Sequence, residues 1–307
     1  ELSAELVNNL DWTANLSVLT FLRDVGKHFS VNAMIQKESV RQRIEREGSG
    51  ISYTEFTYMI LQAFDFSELN SRYDCSLQLG GSDQWGNITS GIDLTRRLNG
   101  QQVFGLTMPL ITKADGSKFG KTEAGTVWLD AARTSPYAFY QFWLGTADAD
   151  VYRFLKYFTF LDVAEIDAIE RADAAPVLAR EVTRLVHGEE GLAAAERITA
   201  ALFSGSLEAL GDGDLLQLRQ DGMPASTISR SEFPDTLTHM LTEAGMAASG
   251  KQVKDALGRK AVTVNGTPVG WDYNARVAEC FAPEAALSGR FYMVKLGKKK
   301  YHLFEVH

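Results

Sequence analysis

Helical and strand patterns of apolar residues alternate through the first 130 residues. Ser52 and Glu55 have the spacing of a capping box, and an apolar stripe of helical period follows them to Phe66. Short apolar runs at 75–79 and 104–111 predict buried strands, and a helical pattern lies between them. Strand, glycine-rich turn and helix in this order predict an open α/β sheet.

The pattern becomes purely helical after residue 135. Ser135 is a suitable N-cap, and Pro136 occupies the first helical position. Asp162 and Glu165 have the spacing of a second capping box, and 175–202 is rich in Ala, Leu and Glu. These features predict an all-α domain.

The last part of the chain returns to strands. Residues 204–230 are rich in Gly, Ser and Asp, which indicates a linker or short helices. Two short helices are expected from Phe233, and Asn265-Gly266 between β-branched residues is a strong hairpin signal. A second hairpin is expected at 290–304. The sequence therefore divides into an α/β part at 1–130, an α-helical domain with its linker at 131–230, and a small α+β domain at 231–307.

Composition limits the class of protein. Of 307 residues, 45% are hydrophobic and 23% are charged, which is typical of a soluble globular protein and excludes fibres and disorder. No apolar run is long enough to span a membrane, and the first residues lack the pattern of a secretory signal. Cys75 and Cys280 are too few for a disulfide framework, so we expect a cytoplasmic protein.

Charge is distributed unevenly. The formal net charge is −8, yet residues 231–307 carry ten Lys and Arg against eight Asp and Glu. An acidic body with a basic end is expected when that end contacts a polyanion. A solvated charged surface explains the same distribution equally well.

Two lysines three residues apart form the first candidate site. Lys118 and Lys121 flank Gly120 within the polar segment 112–125, in the string KFGKT. Such a loop can bring two cations onto a triphosphate while the backbone approaches closely. The pattern GxxxxGK[ST] is absent, so this is no Walker A loop. From the pattern alone, a solvated surface loop is the favoured alternative.

The string GGSDQWGN at 80–87 follows a predicted strand and forms the second candidate. Gly80 and Gly81 would allow a ligand to approach the carboxyl end of that strand, where open α/β sheets bind ligands. Asp83 and Gln84 could bind hydroxyl and other polar groups. A turn that caps the next helix is the alternative.

A polar stripe on an otherwise apolar helix is the third candidate. Tyr58, Gln62 and Asp65 are four and three residues apart, which places them on one helix face. This stripe is either a pocket wall or the solvent face of the helix.

Taken together, these strings resemble bacterial-type tyrosyl-tRNA synthetase. The resemblance extends over the whole chain and rests on TEFTYMILQAFDF (54–66), LQLGGSDQWGNITSGIDLTRR (77–97), PLITKADGSKFGKTEAGTVWLD (109–130), SPYAFYQFWLGTADADV (135–151), LVHGEEG (185–191) and GKKKY (297–301). It implies a class I synthetase: a Rossmann-like catalytic domain, partial here, then an α-helical anticodon-binding domain and a small α+β RNA-binding domain.

One family feature is missing from the sequence. Class I synthetases carry a His-x-Gly-His signature that clamps the ATP phosphates, and none of the five histidines lies in such a pattern. We therefore expect that an N-terminal segment on the order of a hundred residues, about one mononucleotide-binding half, is absent. The chain as given is expected to lack part of its ATP site.

The resemblance also implies an activity, tyrosine–tRNA ligase, and a role for each matching residue. Tyrosine is activated with ATP to tyrosyl-adenylate, and the tyrosyl group then passes to tRNA(Tyr). The resemblance implies four groups of residues: catalytic residues that act as pyrophosphate leaves (Lys118, Lys121, Thr122), tyrosine-binding residues (Tyr58, Gln62, Asp65, Gln84), ATP-binding residues (Gly81, Asp83, Leu110, Ile111, Lys121) and tRNA-binding residues (Lys251, Lys254, Arg259, Lys298, Lys299, Lys300).

Partners follow from the same resemblance. ATP is expected as a substrate with Mg²⁺, with no tightly bound cofactor and no resident metal. A homodimer is expected through Tyr53 and the segment 14–29, with no membrane contact. Two alternatives stay open at this point: a non-catalytic dimeric tRNA-binding fragment, and a nucleotidyltransferase of the same superfamily that acts on a small molecule.

Overall fold

A computed structural model describes residues 4–45, 50–116, 119, 121–122, 125–270, 276–298 and 300–307. The chain forms two compact units, called here the N-terminal unit (Glu1–Thr112) and the C-terminal unit (Lys113–His307). Within the described ranges, every helix is too short or too polar to cross a membrane.

The N-terminal unit is built on a β-α-β arrangement. Its described helices are α1 (Leu10–Thr13), α2 (Val18–Thr20), α3 (Val31–Ile35), α4 (Glu38–Ile44), α5 (Tyr53–Tyr73) and α6 (Trp85–Asn99). Its strands are β1 (Leu77–Gly81) and β2 (Phe104–Met108), which pair in parallel with Leu77 opposite Phe104. A parallel pair needs a crossover connection, and α6 supplies it. The expected α/β character of this part is confirmed.

Helices α5 and α6 and strand β2 approach one another unusually closely. A Cβ added to Gly91 would lie 2.9 Å from the ring of Phe66, and one added to Gly105 would lie 2.4 Å from Ile88. Any larger residue would push these elements apart. The far ends of the two helices are joined by Asn99, whose amide donates to the Ser67 carbonyl at 2.9 Å.

The other face of the β1–β2 pair is apolar and exposed, so the prediction that these two strands are buried is wrong for this face. Leu79, Phe104, Leu106 and Met108 are all more than half exposed. Parallel sheets normally have both faces covered, so this face is an apolar surface available for contact.

The C-terminal unit combines a helical part with a mixed sheet. Its described helices are α7 (Pro136–Leu144), α8 (Asp148–Phe158), α9 (Val163–Ala168), α10 (Arg171–Ser204), α11 (Asp212–Gln217), α12 (Leu237–Glu243), α13 (Gly250–Gly258) and α14 (Val277–Cys280). Its strands are β3 (Lys121–Thr122), β4 (Gly125–Thr126), β5 (Ala225–Ile228), β6 (Val262–Val264), β7 (Thr267–Val269), β8 (Phe291–Leu296) and β9 (Lys300–Val306). Strands β3 and β4 form a small hairpin, and the others form one sheet in the order β5-β9-β8-β6-β7.

Local signals in the sequence predicted several of these elements correctly. The Ser135 hydroxyl accepts from the Ala138 N–H at 3.1 Å, so α7 begins with the expected N-cap. Asn265 and Gly266 have φ of 47° and 80°, as the tight hairpin turn between β6 and β7 requires. The hairpin of β8 and β9 is likewise confirmed.

Other elements differ from expectation. The segment 204–230 was predicted to be a linker or short helices: the short helix α11 confirms part of that prediction, whereas strand β5 was not predicted. The partner of β5 is β9, which is far away in the chain. The predicted helix at 175–202 is interrupted at Gly188, where φ is 70° and ψ is −177°. The polar segment 112–125 was predicted to be a loop, but it contains strand β3 and the first residue of β4, which pair with each other.

A buried carboxylate joins the sheet to the helical part. Glu305 on β9 has a side chain only 7% exposed, and it accepts from the Arg290 Nε at 3.0 Å. The Nε of Arg219 lies 2.9 Å from its other oxygen. Arg290 also pairs with Asp212 at the start of α11. These ion pairs connect α11 and the turn that follows it with the last strand, β9.

We expect Glu305→Gln to lower the free energy of unfolding of the C-terminal unit by about 1–3 kcal/mol. The neutral amide would leave Arg219 without its anion and Arg290 with Asp212 alone, although both guanidinium groups reach solvent in part. Urea denaturation measures the change. Glu284→Gln, at an exposed position, is the control and should change stability by less than about 0.5 kcal/mol. Equal losses in both variants would contradict the role given to Glu305.

Candidate functional site

The polar stripe on α5 is only partly open to solvent. Tyr58 is 57% exposed, whereas Gln62 and Asp65 are half-buried. The Asp65 carboxylate accepts from the Trp12 indole N–H at 2.8 Å and from the Asn9 amide at 3.1 Å. A carboxylate has about four acceptor positions, so Asp65 retains capacity for a further donor.

An asparagine that sequence reasoning missed connects two of the candidate sites. The Asn87 amide donates to the Gln62 carbonyl oxygen at 3.0 Å and to the Gln84 carbonyl oxygen at 3.2 Å. The Gln84 amide in turn donates to the Asp83 carboxylate at 3.1 Å. The α5 stripe and the GGSDQWGN turn are therefore parts of one hydrogen-bonded chain. Asn87 stands inside that string, but the sequence carries no signal for its partner on another helix.

The turn after β1 lies beside the segment that follows β2. A Cβ added to Gly81 would lie 2.7 Å from an Asp83 carboxylate oxygen and 2.8 Å from the Leu110 side chain. A larger residue at this position would force the side chains of Asp83 and Leu110 to move. Leu110 and Ile111 are 58% and 38% exposed. The structure brings these candidates together at the carboxyl ends of two parallel strands, where sheets of this kind bind ligands.

A half-buried lysine lies beneath the first turn of α6. The Lys37 ammonium donates to the Gly86 carbonyl at 2.6 Å and to the Ser90 hydroxyl. Burial lowers the pKa of Lys37, while the nearby charge of Asp93 opposes that shift. Lys37 fixes the backbone beside Gln84 and Asn87, and nothing in the sequence pattern singled it out.

The KFGKT segment belongs to the C-terminal unit, whereas the α5 stripe and the GGSDQWGN turn belong to the N-terminal unit. Lys118 lies outside the described residues. The backbones of Lys121 and Thr122 form β3, with Lys121 opposite Thr126. Phe119, between the two lysines, packs against rings of α7 and α8.

Basic residues of the α+β part lie on exposed positions. Lys251, Lys254 and Arg259 are exposed on α13 and at its end. The opposite face of this helix buries Val253, Ala256 and Leu257 in the core. Lys298 is exposed in the β8–β9 turn, and Lys299 lies outside the described residues. The Lys300 ammonium donates to the Met246 carbonyl at 3.1 Å, which places the start of β9 beside the connection that precedes α13.

Comparison with protein families gives two matches that together cover most of the chain. Residues 2–204 match the family of class I tRNA synthetases for W and Y. Residues 214–304 match the SYY-like C-terminal domain of tyrosine–tRNA ligase.

Individual relatives agree with these matches. The tyrosine–tRNA ligase of Aliivibrio fischeri is 59% identical over 309 residues, which cover 98% of this chain and 71% of that protein. That of Escherichia fergusonii is 56% identical over 311 residues, which cover 99% of this chain and 72% of that protein.

A solved structure agrees as well. A C-terminally truncated mitochondrial tyrosyl-tRNA synthetase of Aspergillus nidulans is 32% identical, with a TM-score of 0.53 over 64% of this chain and 57% of that one. The family matches cover both units, and the bacterial relatives are aligned over nearly the whole chain. The chain therefore belongs to the tyrosine–tRNA ligase family of class I aminoacyl-tRNA synthetases.

Proposed function

We propose that this protein activates L-tyrosine with ATP and transfers the tyrosyl group to tRNA(Tyr), with the residues named above in the roles their positions in the family imply. The observation that supports this best is the hydrogen-bonded chain from Gln62 through Asn87 and Gln84 to Asp83. It joins the residues proposed to bind tyrosine with the turn proposed to bind the nucleotide. A reaction between the two substrates needs them side by side.

Binding of tyrosine uses both ends of the polar stripe in this proposal. Asp65 accepts a hydrogen bond from the substrate phenol, and its position is fixed by Trp12 and Asn9. Tyr58 and Gln62 hold the α-ammonium group, and Gln84 orients the carboxylate. A site built to bind the phenol hydroxyl rejects an analogue without it, because its own polar groups would stay unpaired.

ATP binding involves the ends of β1 and β2. Gly81 and Asp83 hold the ribose, and the backbone at Leu110 and Ile111 faces the adenine. Mg²⁺ enters with ATP as part of that substrate. The tyrosine carboxylate attacks the α-phosphorus and pyrophosphate leaves, so catalysis rests on positioning and on neutralising the developing charge. Lys118 and Lys121 supply the positive charge, and Thr122 donates a hydrogen bond.

Assembly and location are also part of the proposal. Val18, Leu19 and Leu22 are each more than half exposed within the segment 14–29, which suits an interface between two copies of the chain. Exposed basic residues of α13 and of the β8–β9 turn suit a contact with tRNA phosphates. We place the protein in the cytoplasm, divided into the three parts at 1–130, 131–230 and 231–307.

Tyrosine-dependent exchange of pyrophosphate into ATP tests the proposed function. The protein, purified in the form that its organism makes, should catalyse the exchange with tyrosine, far less with phenylalanine, and should charge tRNA(Tyr). Binding of tRNA without any exchange would contradict the enzymatic assignment and would favour the alternative, a non-catalytic tRNA-binding protein.

Replacing Asn87 should weaken tyrosine binding specifically. We expect Asn87→Ala to raise the KM for tyrosine about threefold to tenfold, the equivalent of one lost hydrogen bond, because Gln62 and Gln84 lose their common donor. The KM for ATP should change less. Steady-state exchange kinetics measure both constants. Thr89→Ala is a control on the same helix, since the Thr89 hydroxyl donates to a carbonyl of α6 itself; an equal effect there would contradict the role of Asn87.

Charge on α13 should determine part of the salt dependence of tRNA binding. We expect Lys254→Gln to reduce the slope of log Kd against log salt by about one, because one phosphate contact is lost. Lys254→Arg preserves the charge and should retain the slope. A titration of tRNA binding over a range of KCl concentrations measures it. An unchanged slope for the Gln variant would exclude Lys254 from the interface.

A further inference from the structure

Lys37 lies in the connection between α3 and α4, and its backbone is fixed by the core of the N-terminal unit. Met34 and Val40, three residues to either side, are each 3% exposed and share a core cluster with Leu94 of α6. The Lys37 N–H donates to the Met34 carbonyl at 3.2 Å, and the Val40 N–H donates to the Lys37 carbonyl at 3.0 Å. The base of the Lys37 side chain is therefore held in place.

The other end of this side chain closes a ring of hydrogen bonds on α6. The ammonium donates to the Gly86 carbonyl at 2.6 Å and to the Ser90 hydroxyl. The Ser90 hydroxyl, which is buried, donates to the same carbonyl at 2.7 Å. Asn87 follows Gly86 directly, with its Cα atom about 3.8 Å away. Lys37 thus fixes the backbone from which Asn87 extends.

The ammonium occupies a position that electrostatics opposes. The first turn of a helix is the positive end of its dipole, where a cation is unfavourable, and partial burial adds to the cost. The first turn of α6 contains no acidic residue, and the charge that opposes the effect of burial belongs to Asp93, further along the helix. A residue that breaks a local rule in this way is expected where the arrangement serves function.

The start of α6 also lacks the support that an N-cap side chain usually gives. In this segment, all of which the structure describes, the Gln84 side chain occupies the N-cap position without capping the backbone. It accepts from Asn87 and donates to Asp83 instead. One N–H of the Gln84 amide is used in that bond, so the second N–H can donate to a ligand. Lys37 supports from outside a turn whose own cap residue is occupied elsewhere.

We propose that Lys37 is a positioning residue for tyrosine binding: its ammonium holds the first turn of α6 so that Asn87 fixes the Gln84 amide for the substrate carboxylate. This proposal rests on the role proposed above for Gln84. Gln62, the other partner of Asn87, is carried by α5 and keeps its place when the turn moves. Lys37 itself contacts no substrate.

Affinities for tyrosine and for tyramine, which is tyrosine without its carboxylate, test this role. Calorimetric titration of the protein, purified in the form that its organism makes, gives both Kd values. We expect Lys37→Met, which keeps the unbranched stem and removes the donors, to raise the Kd for tyrosine about threefold to tenfold. The Kd for tyramine should stay within about twofold, because tyramine has no group for Gln84 to orient.

Two further variants serve as comparisons in this titration. Ser90→Ala removes one of the two acceptors of the ammonium and should change the Kd for tyrosine in the same direction by a smaller factor. Arg96→Met removes an exposed cation from the same helix and should leave both Kd values unchanged. A general loss of folding would lower the fraction of binding sites and leave the ratio of the two Kd values unaltered.

Chemical rescue tests whether the ammonium acts as a hydrogen-bond donor. A hollow of about 180 Å³ lies beside Lys37, lined among others by His28, Ser30 and Asp93. In Lys37→Ala, propylammonium can enter this space and donate to the Gly86 carbonyl. We expect it to lower the Kd of this variant for tyrosine at least about twofold. Tetramethylammonium at the same concentration carries the charge without any N–H and should have no effect.

Hydrogen exchange follows the first turn of α6 without any substrate. The backbone amides of 86–91 should exchange at least about fivefold faster in Lys37→Met than in the unsubstituted protein, because the turn opens more often. They should be unaffected in Arg96→Met.

Four results would overturn the proposal: an unchanged Kd for tyrosine in Lys37→Met, equal losses for tyrosine and tyramine, equal effects of the two ammonium ions, or unchanged hydrogen exchange. Failure of the proposed function would look different. The unsubstituted protein would then bind no tyrosine, while hydrogen exchange in the variants would still show whether Lys37 holds the turn.

Discussion

The arrangement of the N-terminal site depends on how closely α6 can approach α5 and β2. Gly91 allows the ring of Phe66 to lie against the α6 backbone, and Gly105 allows Ile88 to lie against β2. The close approach of α6 to α5 brings the Asn87 amide within hydrogen-bond distance of the Gln62 side chain, at 3.0 Å. A methyl group at either glycine would force Phe66 or Ile88 to shift, and any shift of α6 that followed would lengthen this hydrogen bond. Packing of small residues in the core therefore determines the geometry of polar groups at the surface.

Sequence reasoning succeeded where the cause of a structure is local. The Ser135 cap of α7 and the Asn265-Gly266 turn depend on a few adjacent residues, and both were predicted correctly. Strand β5 was missed because its hydrogen-bond partner β9 lies about eighty positions further along the chain. The interruption of α10 at Gly188 was also missed, since the residues on both sides of it favour a helix.

The candidate site shows the same division between local and distant causes. Spacing placed Gln62 and Asp65 on one face of α5, and the order of strand and turn placed Asp83 at a strand end. No pattern in the sequence pairs Asn87 with Gln62, or Trp12 with Asp65, because each bond joins side chains from different elements. Lys37 and Phe119 escaped notice for the same reason: their significance lies in the surfaces that they contact, and those surfaces exist only in the folded chain.

The packing of Phe119 against Trp143 also gives the protein an optical property. Trp143 is 4% exposed, and the Phe119 ring lies 5.3 Å from its indole. Indole emission shifts to longer wavelength when water replaces an apolar neighbour. Departure of Phe119 from its place would admit water to that side of Trp143. The fluorescence of an unlabelled sample thus carries a component that reports, on the time scale of the motion itself, whether Phe119 packs against Trp143.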